Sequence, residues 1–591
     1  MDTSLYPPRY QQKLLTLLSE KWDLDANTDG VLIHSDNFQA LNLLQARYRE
    51  QVKCIYIDPP YNTGTDGFIY KDNYQHSSWL TTMENRLQAA YPLLRQDGVN
   101  FISIDDSEQA RLKQLGDLVY GEENFVADFI WQKKTGASDA KKIATITEYA
   151  FLYQRNDDFV ANKNKQSFDL NRYRLSDEFI EERGNYYIDN LDRGGLQYSD
   201  SLNFGIVCPD GTITYPNGRL NKINEGWIWK WSEKKVEWAL KNGFIEFRKS
   251  EKKDSGWSVC YKNYLFVDNE GKPGERAAPF KNLVTEVLNT DGNKEIRNLF
   301  VNKAFSFPKP SEFIKFFISI SVGESALILD YFAGSGTTAH AVINLNREDG
   351  GNRKYILVEQ GEYFDTVLKP RVQKVIYSEN WKNGKPMPSE KQSDGFNGVS
   401  QIVKVLKLES YEDTLNNLEL KGQADFIGGL PESVQEDYLL RYLLDVESKG
   451  SLLNSDDFTH PFDYCLNIAT DSAGAYAKTN IDLVETFNYL LGLRVRHITD
   501  EREKRGYVMV EGALPNGDRC LIVWRDVEKM GYTEVAEFFN SQNITPNRDQ
   551  YDVVYLNGDH YMANLWQNED GTESRLSLRA IEPEFLRLMF A

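Results

Sequence analysis

The sequence predicts an α/β protein with a doubly wound sheet, and three observations carry that prediction. Short apolar runs typical of buried strands alternate with amphipathic stretches typical of helices. Several of these runs end in a carboxylate, at the position where open α/β sheets hold their ligands. One run leads through a glycine turn directly into a helix, a turn that lets the backbone approach a ligand closely.

The N-terminal elements follow one another in order. Residues 1–30 are expected to form a short helical lead-in. A strand over Val31–Asp36 precedes an amphipathic helix over Phe38–Tyr48. The same alternation continues with a strand at Cys54–Ile57, a helix over Gln75–Leu94 and a strand at Val99–Ile104.

The tetrapeptide Asp58-Pro59-Pro60-Tyr61 directly follows the strand at Cys54–Ile57. Two prolines lack N–H groups and have a fixed φ, so the strand must stop there. One carboxylate, two stiff carbonyls and one aromatic ring then project from its carboxyl end. An amino group on a planar base could donate one hydrogen to Asp58 and one to the Pro59 carbonyl while its ring stacks on Tyr61.

A second segment, Leu327–Thr338, reads as a strand, a glycine turn and the start of a helix. Gly334 and Gly336 allow close backbone approach, and Thr337-Thr338 can cap the helix. The next strand ends in Glu359, a carboxylate placed to accept ribose hydroxyls as in dinucleotide-binding units. Because the turn lacks the lysine of a phosphate-binding loop, a nucleoside without a polyphosphate tail fits better than ATP.

Together these segments resemble the amino-methyltransferases of DNA, which use S-adenosyl-L-methionine (SAM). Asp58–Tyr61 matches the catalytic motif of that family and Phe332–Gly336 its SAM-binding motif. The catalytic motif comes first, which is the permuted, beta-class order with a target-recognition domain between the motifs. The resemblance implies a Rossmann-like methyltransferase core with catalytic residues Asp58, Pro59, Pro60 and Tyr61. It implies cofactor contacts from Asp36, Lys309, Asp330, Phe332, Ala333, Gly334, Ser335, Gly336, Thr337 and Glu359. Asp36 could instead simply cap the helix that follows it.

The resemblance extends to modification (Mod) subunits of type III restriction–modification systems. It rests on Asn293–Pro310, on Lys407–Asp413 and on the ending Ile581–Phe585. Double-stranded DNA is the implied substrate, a helicase/nuclease restriction subunit the implied partner, and a homodimer the implied assembly. The implied domains are a lead-in (1–30), a first core segment with the catalytic motif (31–155), an inserted α+β target-recognition domain (156–290), a second core segment with the SAM motif (291–395) and a C-terminal acidic α+β domain (396–591) that contacts a partner or second copy.

The charge of the chain, −20 overall, is unevenly distributed. Residues 401–591 carry 18 basic and 33 acidic side chains, a net charge of −15. Residues 131–310 carry 29 basic and 25 acidic side chains, a net charge of +4. The middle of the chain can therefore face phosphates, while the acidic end more readily meets a protein or a basic region of its own chain. A merely solvated acidic face is the alternative.

The region from 156 to 290 has short strands, many glycine turns and many aromatic residues. Asp210-Gly211, Asn217-Gly218 and Asn242-Gly243 are typical of hairpin turns. Lysines alternate with the tryptophans, a pattern that can bind nucleic acid because the lysines position phosphates. Most of these tryptophans are nevertheless expected to lie in a small core. These tryptophans and basic residues are Trp227, Trp229, Trp231, Trp238, Lys222, Lys230, Lys234, Lys235, Lys241, Arg248 and Lys249.

Neither a metal site nor a disulfide framework is expected, because the five cysteines have no paired spacing. The beginning of the chain has no apolar signal region and no run approaches the length of a membrane span, so a reducing cytoplasm is the expected location.

The chemistry implied is direct transfer of a methyl group to the exocyclic amine of a flipped-out base. Within the family, aspartate in the first motif position generally accompanies methylation of adenine N6, and serine accompanies methylation of cytosine N4. The resemblance therefore favours adenine as the target base. Three alternatives stay open: a solitary DNA methyltransferase without a nuclease partner, an RNA adenine or protein glutamine methyltransferase, and a DNA-binding specificity subunit with an inactive site.

Overall fold

A computed structural model describes most of the chain and divides it into two compact units. One unit combines Met1–Ala161 with Asn282–Ala591, and the other is Asn162–Lys281. The described residues are 2–64, 74–136, 143–164, 170–195, 197–274, 278–389, 395–410, 413–414, 417, 452–469, 476–544, 550–562, 565–567, 573–575 and 577–589.

A nine-stranded sheet forms the centre of the larger unit. Its strands run in the order β6-β4-β5-β3-β2-β7-β8-β1-β9, all parallel except β5, which is antiparallel to β3 and β4. These strands are β1 (Thr28–His34), β2 (Val52–Ile57), β3 (Leu94–Ile104), β4 (Phe125–Gln132), β5 (Thr147–Gln154), β6 (Leu283–Val284), β7 (Leu327–Asp330), β8 (Lys354–Glu359) and β9 (Ile402–Lys407).

Helices cover both faces of this sheet, which confirms the predicted doubly wound α/β core. Helices α2, α3 and α4 bury Leu41, Leu87 and Leu112 against one face. Helix α6 packs on the other face, where Phe317 stacks on Tyr56 of β2. The helices are α1 (Pro8–Ser19), α2 (Asn37–Tyr48), α3 (His76–Ala90), α4 (Gln109–Tyr120), α5 (Asn289–Phe300), α6 (Ser311–Ser321), α7 (Thr337–Asp349) and α8 (Leu368–Tyr377).

The boundary between α3 and β3 differs from the prediction. The helix was expected to continue to Leu94, but it ends at Ala90 and a 3₁₀ turn over Tyr91–Leu93 follows. Pro92 lies in that turn and cannot supply an N–H to continue the α-helix. The strand consequently begins at Leu94, five residues before the predicted start at Val99.

The described portion of residues 452–589 contains a second sheet. Five strands run in the order β12-β13-β14-β15-β16, antiparallel over the first three and parallel over the last three. One face packs on α9 and α11, and the other on α10. The elements are β10 (Cys465–Ala469), β11 (Tyr476–Asn480), α9 (Leu483–Leu490), β12 (Arg494–Asp500), β13 (Tyr507–Ala513), β14 (Arg519–Arg525), α10 (Tyr532–Ser541), β15 (Val553–Leu556), β16 (Leu578–Ala580) and α11 (Ile581–Met589).

The N-terminal lead-in packs on this second sheet. Leu24 belongs to its apolar core, and the Leu24 N–H donates to Arg496 of β12. Asp25, the next residue, pairs with Arg47 of α2 at 3.3 Å and with Lys404 of β9 at 3.1 Å. Three regions distant in sequence therefore meet at one buried carboxylate.

The smaller unit, Asn162–Lys281, has a three-stranded antiparallel sheet and an aromatic core of its own. Trp229 and Trp231 are buried in that core. The elements are helices Ile180–Arg183 and Glu233–Lys241, sheet strands Ile245–Lys249, Trp257–Tyr264 and Tyr186–Asn190, and two-residue strands Lys163–Asn164, Asp192–Arg193, Ile206–Val207, Ile213–Thr214, Ile228–Trp229 and Ala278–Pro279.

Two details of this unit bear on the sequence predictions. The interpretation of Asn242-Gly243 as a hairpin turn is wrong, because these residues end the helix Glu233–Lys241 and Gly243 takes the left-handed conformation common after a helix (φ +74°). Lysines expected to face phosphates form ion pairs within the unit: Lys222 with Asp200, Lys230 with Asp189, Lys235 with Glu270 and Lys249 with Asp210.

The remaining short strands form two-stranded ribbons. They are Asn380–Lys382 with Lys385–Met387, β10 with β11, and Leu565–Gln567 with Glu573–Arg575. Among the described residues, every helix is too short or too polar to cross a lipid bilayer.

Candidate active site

The two motifs predicted to form the site lie at the same edge of the nine-stranded sheet. Strands β2 and β7 are parallel neighbours, with Ile55 paired to Leu329, so both carboxyl ends reach that edge. A cavity of about 50 Å³ lies between them. Asp58 and Pro60 line it from one side, and Phe332, Ala333 and Gly334 from the other. The convergence of two segments distant in sequence is thereby confirmed.

Positive φ angles at two glycines form the turn after β7. Gly334 has φ +53° and Gly336 φ +81°, a region that side chains with a Cβ rarely adopt. The turn is fixed by backbone hydrogen bonds from Ala333 N–H to the Val358 carbonyl and from Gly336 N–H to the Ala333 carbonyl.

The predicted capping role of Thr337 and Thr338 is wrong. Helix α7 begins at Thr337, and its N-cap is Gly336 without a side-chain hydrogen bond. The Thr337 hydroxyl instead donates to the Lys309 carbonyl at 3.2 Å, and the Thr338 hydroxyl donates to Asp330 at 2.5 Å. Both hydroxyls thus tie the turn to neighbouring segments.

Two buried carboxylates accept hydrogen bonds from the backbone of the glycine turn and so hold it in place. Asp330, 3% exposed, accepts hydrogen bonds from the Phe332 N–H and the Thr338 hydroxyl. Glu359, 2% exposed, accepts from the Gly334 N–H and the Gly361 N–H, each at 2.8 Å. Burial raises the pKa of both carboxyl groups to about 7.

Asp58 at the tip of β2 is paired with a lysine. The Lys309 ammonium lies 2.8 and 2.9 Å from the two oxygens of Asp58 and donates to the Tyr61 hydroxyl at 2.7 Å. The indole N–H of Trp79 donates to the Pro60 carbonyl at 2.8 Å and fixes the backbone between Asp58 and Tyr61.

A second carboxylate, Glu148 of β5, completes this cluster. It accepts a hydrogen bond from the Tyr61 hydroxyl at 3.2 Å and lies 3.3 Å from Lys309 and 3.0 Å from Lys133. Burial acts to raise the pKa of Glu148, but the two ammonium groups outweigh it and lower that pKa. Burial likewise opposes charge on Lys309, but Asp58 and Glu148 raise the pKa of Lys309. The cluster therefore holds two anions and two cations in alternation.

An arginine connects the glycine turn to the segment that carries Lys309. The fully buried Arg371 donates to the hydroxyls of Ser335 and Thr337 at 2.7 and 2.8 Å and pairs with Glu295 at 2.9 Å. Glu295 in turn accepts from the Ser311 N–H and hydroxyl. Burial lowers the pKa of Arg371 to about 10, so it is still a cation at neutral pH.

The sequence profile of a family described as DNA methylase matches residues 52–369, which span both motifs and more than half of the chain. This chain belongs to the DNA methylase family.

Curated relatives of this DNA methylase include three informative ones. The chain is 31% identical over 382 residues to the StyLTI Mod subunit of a type III restriction–modification enzyme from Salmonella typhimurium LT2, covering 58% of this chain and 54% of the relative. It is 29% identical over 399 residues to the EcoP15I Mod subunit from Escherichia coli (59% and 62%). It is 32% identical over 374 residues to the type II methyltransferase M.KpnI from Klebsiella pneumoniae (57% and 81%). The chain thus spans little more than half the length of those Mod subunits.

The solved structures that resemble this chain include the PvuII DNA methyltransferase (cytosine-N4-specific). Its sequence is 12% identical, and the match covers 58% of this chain and 86% of the PvuII chain. Its TM-score of 0.32 is too low to bear on fold or function.

The DNA methylase has a second, larger cavity beside the one between the motifs. It measures about 1060 Å³ and is lined by Asp36, by Gln360–Glu362 and by Lys407, Ser410 and Asp413 beyond the core. Asp36 caps α2 by accepting from the Phe38 N–H at 2.8 Å, as the simpler interpretation expected. Ser35 also lines this cavity, and its buried hydroxyl has no partner among the residues that the structure describes.

The predicted cofactor residues occupy several positions: Asp36 lines the larger cavity, and Asp330 and Glu359 are buried against the glycine turn. Phe332, Ala333 and Gly334 face the smaller cavity. The Ser335 hydroxyl is held by Arg371 in the interior. Lys309 lies with Asp58 and Tyr61, the predicted catalytic residues. Contact of any of them with a cofactor stays a prediction.

Sequence reasoning missed Glu148, Lys133, Trp79 and Arg371. A signal for the first two exists in the topology: β5 is antiparallel, so its first residues lie at the edge where the parallel strands end. Glu148 is the second residue of β5, and Lys133 directly follows the end of β4 at the same edge. Nothing local in the sequence indicated that direction.

Proposed function

We propose that this chain transfers a methyl group from SAM to the N6 amino group of an adenine flipped out of double-stranded DNA. We propose further that it acts as the modification and specificity subunit of a type III restriction–modification system. The observation that carries the proposal is the cavity between Asp58 at the tip of β2 and Gly334 in the turn after β7. The curated relatives support it: two are Mod subunits of type III restriction–modification enzymes and one is a type II methyltransferase.

The residues present fit SAM. Within the described part of the chain, a Cβ at Gly334 would meet only Phe305, at 3.5 Å, so the turn offers bare backbone to a ligand. The unpartnered Ser35 hydroxyl and the large cavity beside Asp36 offer room and a polar contact for a nucleoside. The turn Phe332–Thr337, Glu359 next to it and Asp36 in the larger cavity are the residues that would hold the cofactor. When bound, SAM supplies an electrophilic methyl group on a cationic sulfur.

Asp58, Pro59 and Tyr61 would act on the base. The adenine amine is a weak nucleophile because its lone pair is delocalised into the ring. Hydrogen bonds to Asp58 and to the Pro59 carbonyl would favour a pyramidal amine nitrogen, which makes its lone pair available as a nucleophile. Orientation and a fixed negative charge thus supply the catalysis.

Stacking on Tyr61 would help to hold the base outside the duplex. Flipping costs a few kcal/mol, and a base–aromatic stack contributes roughly 1–3 kcal/mol. Recognition of the DNA sequence would fall to the unit Asn162–Lys281, whose lysine–carboxylate pairs can open toward phosphates. A restriction subunit, a homodimer and a cytoplasmic location stay predictions.

A transfer assay tests the proposed function. The purified chain, given SAM with a labelled methyl group, should label double-stranded DNA, and digestion to nucleosides should place the label in N6-methyladenine. Label in N4-methylcytosine would identify cytosine, and not adenine, as the target base. Label only in RNA or in protein, or SAM and DNA binding without any transfer, would contradict the proposal. Co-expression with a candidate restriction subunit, followed by gel filtration, separates a Mod subunit from a solitary methyltransferase.

Cofactor binding should depend on pH through Glu359. Its pKa of about 7 means that the carboxyl group is largely neutral at pH 6 and ionised at pH 8, and only the anion accepts two ribose hydroxyl bonds strongly. We therefore expect SAM affinity, measured by calorimetry, to increase from pH 6 to pH 8 and to level off above.

Asp330 also has a carboxyl pKa of about 7, so two variants are needed to show which of the two groups causes the pH dependence of SAM binding. Glu359→Gln should bind SAM with the same affinity from pH 6 to pH 8. Asp330→Asn should keep the wild-type increase of SAM affinity over that range. An unchanged slope in Glu359→Gln would rule out its ionisation as the cause.

A further inference from the structure

The alternating charges behind Asp58 form a connected row. Lys133 pairs with Glu148 at 3.0 Å, Glu148 with Lys309 at 3.3 Å, and Lys309 with Asp58 at 2.8 Å. The side chains of Glu148 and Lys309 are 9% and 10% exposed, so water screens this row little.

Lys309 contacts both side chains that would hold the base. Its ammonium bonds both oxygens of Asp58 and the hydroxyl of Tyr61, and it lies 4.7 Å from the centre of the Tyr61 ring. An ammonium group has three hydrogens, and the contacts to Asp58 and Tyr61 account for all three, so Glu148 at 3.3 Å acts as a further ion-pair partner. One cation therefore fixes the carboxylate and the ring relative to each other.

The position of Lys309 is itself fixed. Its carbonyl accepts from the Thr337 hydroxyl, and the next helix begins at Ser311, which Glu295 holds. The Tyr61 phenol remains protonated because burial and the charges of Asp58 and Glu148 raise its pKa. It can thus accept from Lys309 and donate to Glu148 at once.

We propose that Lys309 and Glu148 are positioning residues of the methyl-transfer reaction: Lys309 orients Asp58 and Tyr61 toward the target base, and Glu148 keeps Lys309 charged and in place. This inference rests on the proposed function and moves Lys309 from the predicted cofactor contacts to the base side of the site. Lys133 pairs with the other carboxylate oxygen of Glu148 at 3.0 Å and helps to hold this side chain in place.

Other charged or titratable groups also face the cluster. Asp330 and Tyr56 act on it from β7 and β2, and Asp105 acts on it from the end of β3. These groups are unchanged in the variants below, so a difference in pH dependence reports on Lys309 and Glu148.

The first test separates cofactor binding from transfer. Lys309→Met should bind SAM within about twofold of wild type, by calorimetry, and lose transfer by roughly 100-fold, a loss of the size found when one electrostatic contact to the reacting groups is removed. The exposed Lys303→Met, in the same segment, is the matched control and should transfer normally. A SAM affinity more than about tenfold weaker in Lys309→Met would overturn the proposal and restore a cofactor role.

The second test uses Glu148→Gln, which keeps the shape of the side chain. Lys309 then loses one of the two carboxylates that raise its pKa, while burial still lowers that pKa. Transfer by Glu148→Gln should approach the wild-type rate near pH 7 and fall at least about tenfold further than wild type by pH 9.5, toward the Lys309→Met rate.

The outcomes can be told apart. A loss in Glu148→Gln that is equal at every pH is what a merely structural role gives, and it would overturn the proposal. Wild-type enzyme that binds SAM and DNA but transfers no methyl group at any pH would contradict the proposed function instead.

Discussion

Asp58→Ala should abolish methyl transfer while SAM and DNA still bind. The Asp58 carboxylate lies at the tip of β2 and lines the same cavity as Gly334 of the glycine turn. Removing such a contact to the reacting group costs about 10²–10³-fold in rate, and more where it also orients the base. Filter binding with DNA and calorimetry with SAM, beside the transfer assay, measure the three properties separately.

Two variants sharpen this expectation. Asp58→Asn keeps one oxygen acceptor without the charge and should retain more activity than Asp58→Ala. Asp97→Ala removes an aspartate that pairs with Lys53 at the opposite end of β2 and should leave transfer unchanged. Turnover by Asp58→Ala within tenfold of wild type would refute the role assigned to this carboxylate.

Glu295→Gln should destabilise the methylase core strongly. Arg371 is fully buried, and Glu295 is the carboxylate that pairs with it at 2.9 Å. Removing one partner of a buried pair leaves an uncompensated charge and typically costs about 3–5 kcal/mol of unfolding free energy. The urea midpoint of the core should therefore fall, and SAM affinity with it, because Arg371 also holds Ser335 and Thr337.

The control lies on the same helix. Lys294→Met breaks a pair with Asp291 in which the lysine side chain is 69% exposed, and such a pair contributes about 0–1 kcal/mol. A midpoint shift in Glu295→Gln no larger than that in Lys294→Met would show that the arginine finds another partner.

Local physical constraints made the two motifs predictable from the sequence. The prolines after Asp58 can only end a strand, and the glycines at 334 and 336 take φ values that other residues avoid. Strand and helix periodicity likewise predicted the doubly wound core, with errors of a few residues at boundaries such as Pro92.

Contacts between distant segments were not predictable. Lys309 and Asp58 are 251 positions apart, and their pairing depends on where the segment before α6 is placed by Glu295 and Arg371. Glu148 reaches the site only because β5 runs antiparallel, a direction that no local pattern encodes. The threonines after Gly336 have good capping chemistry, but their hydroxyls are engaged by Lys309 and Asp330 instead.

The carboxylate of Asp25 has a consequence for how this protein can be divided. Its partners Arg47 and Lys404 come from α2 and from the edge strand β9, and the guanidinium of Arg47 also stacks on Tyr489 of α9 at 3.9 Å. A fragment that stopped at residue 395 would keep the tip of β2 and the glycine turn but lose Lys404 and Tyr489. The shortened chain would keep the Asp25–Arg47 pair but lose the lysine and the aromatic ring packed around it, so residues beyond 395 are structural components of the methylase core.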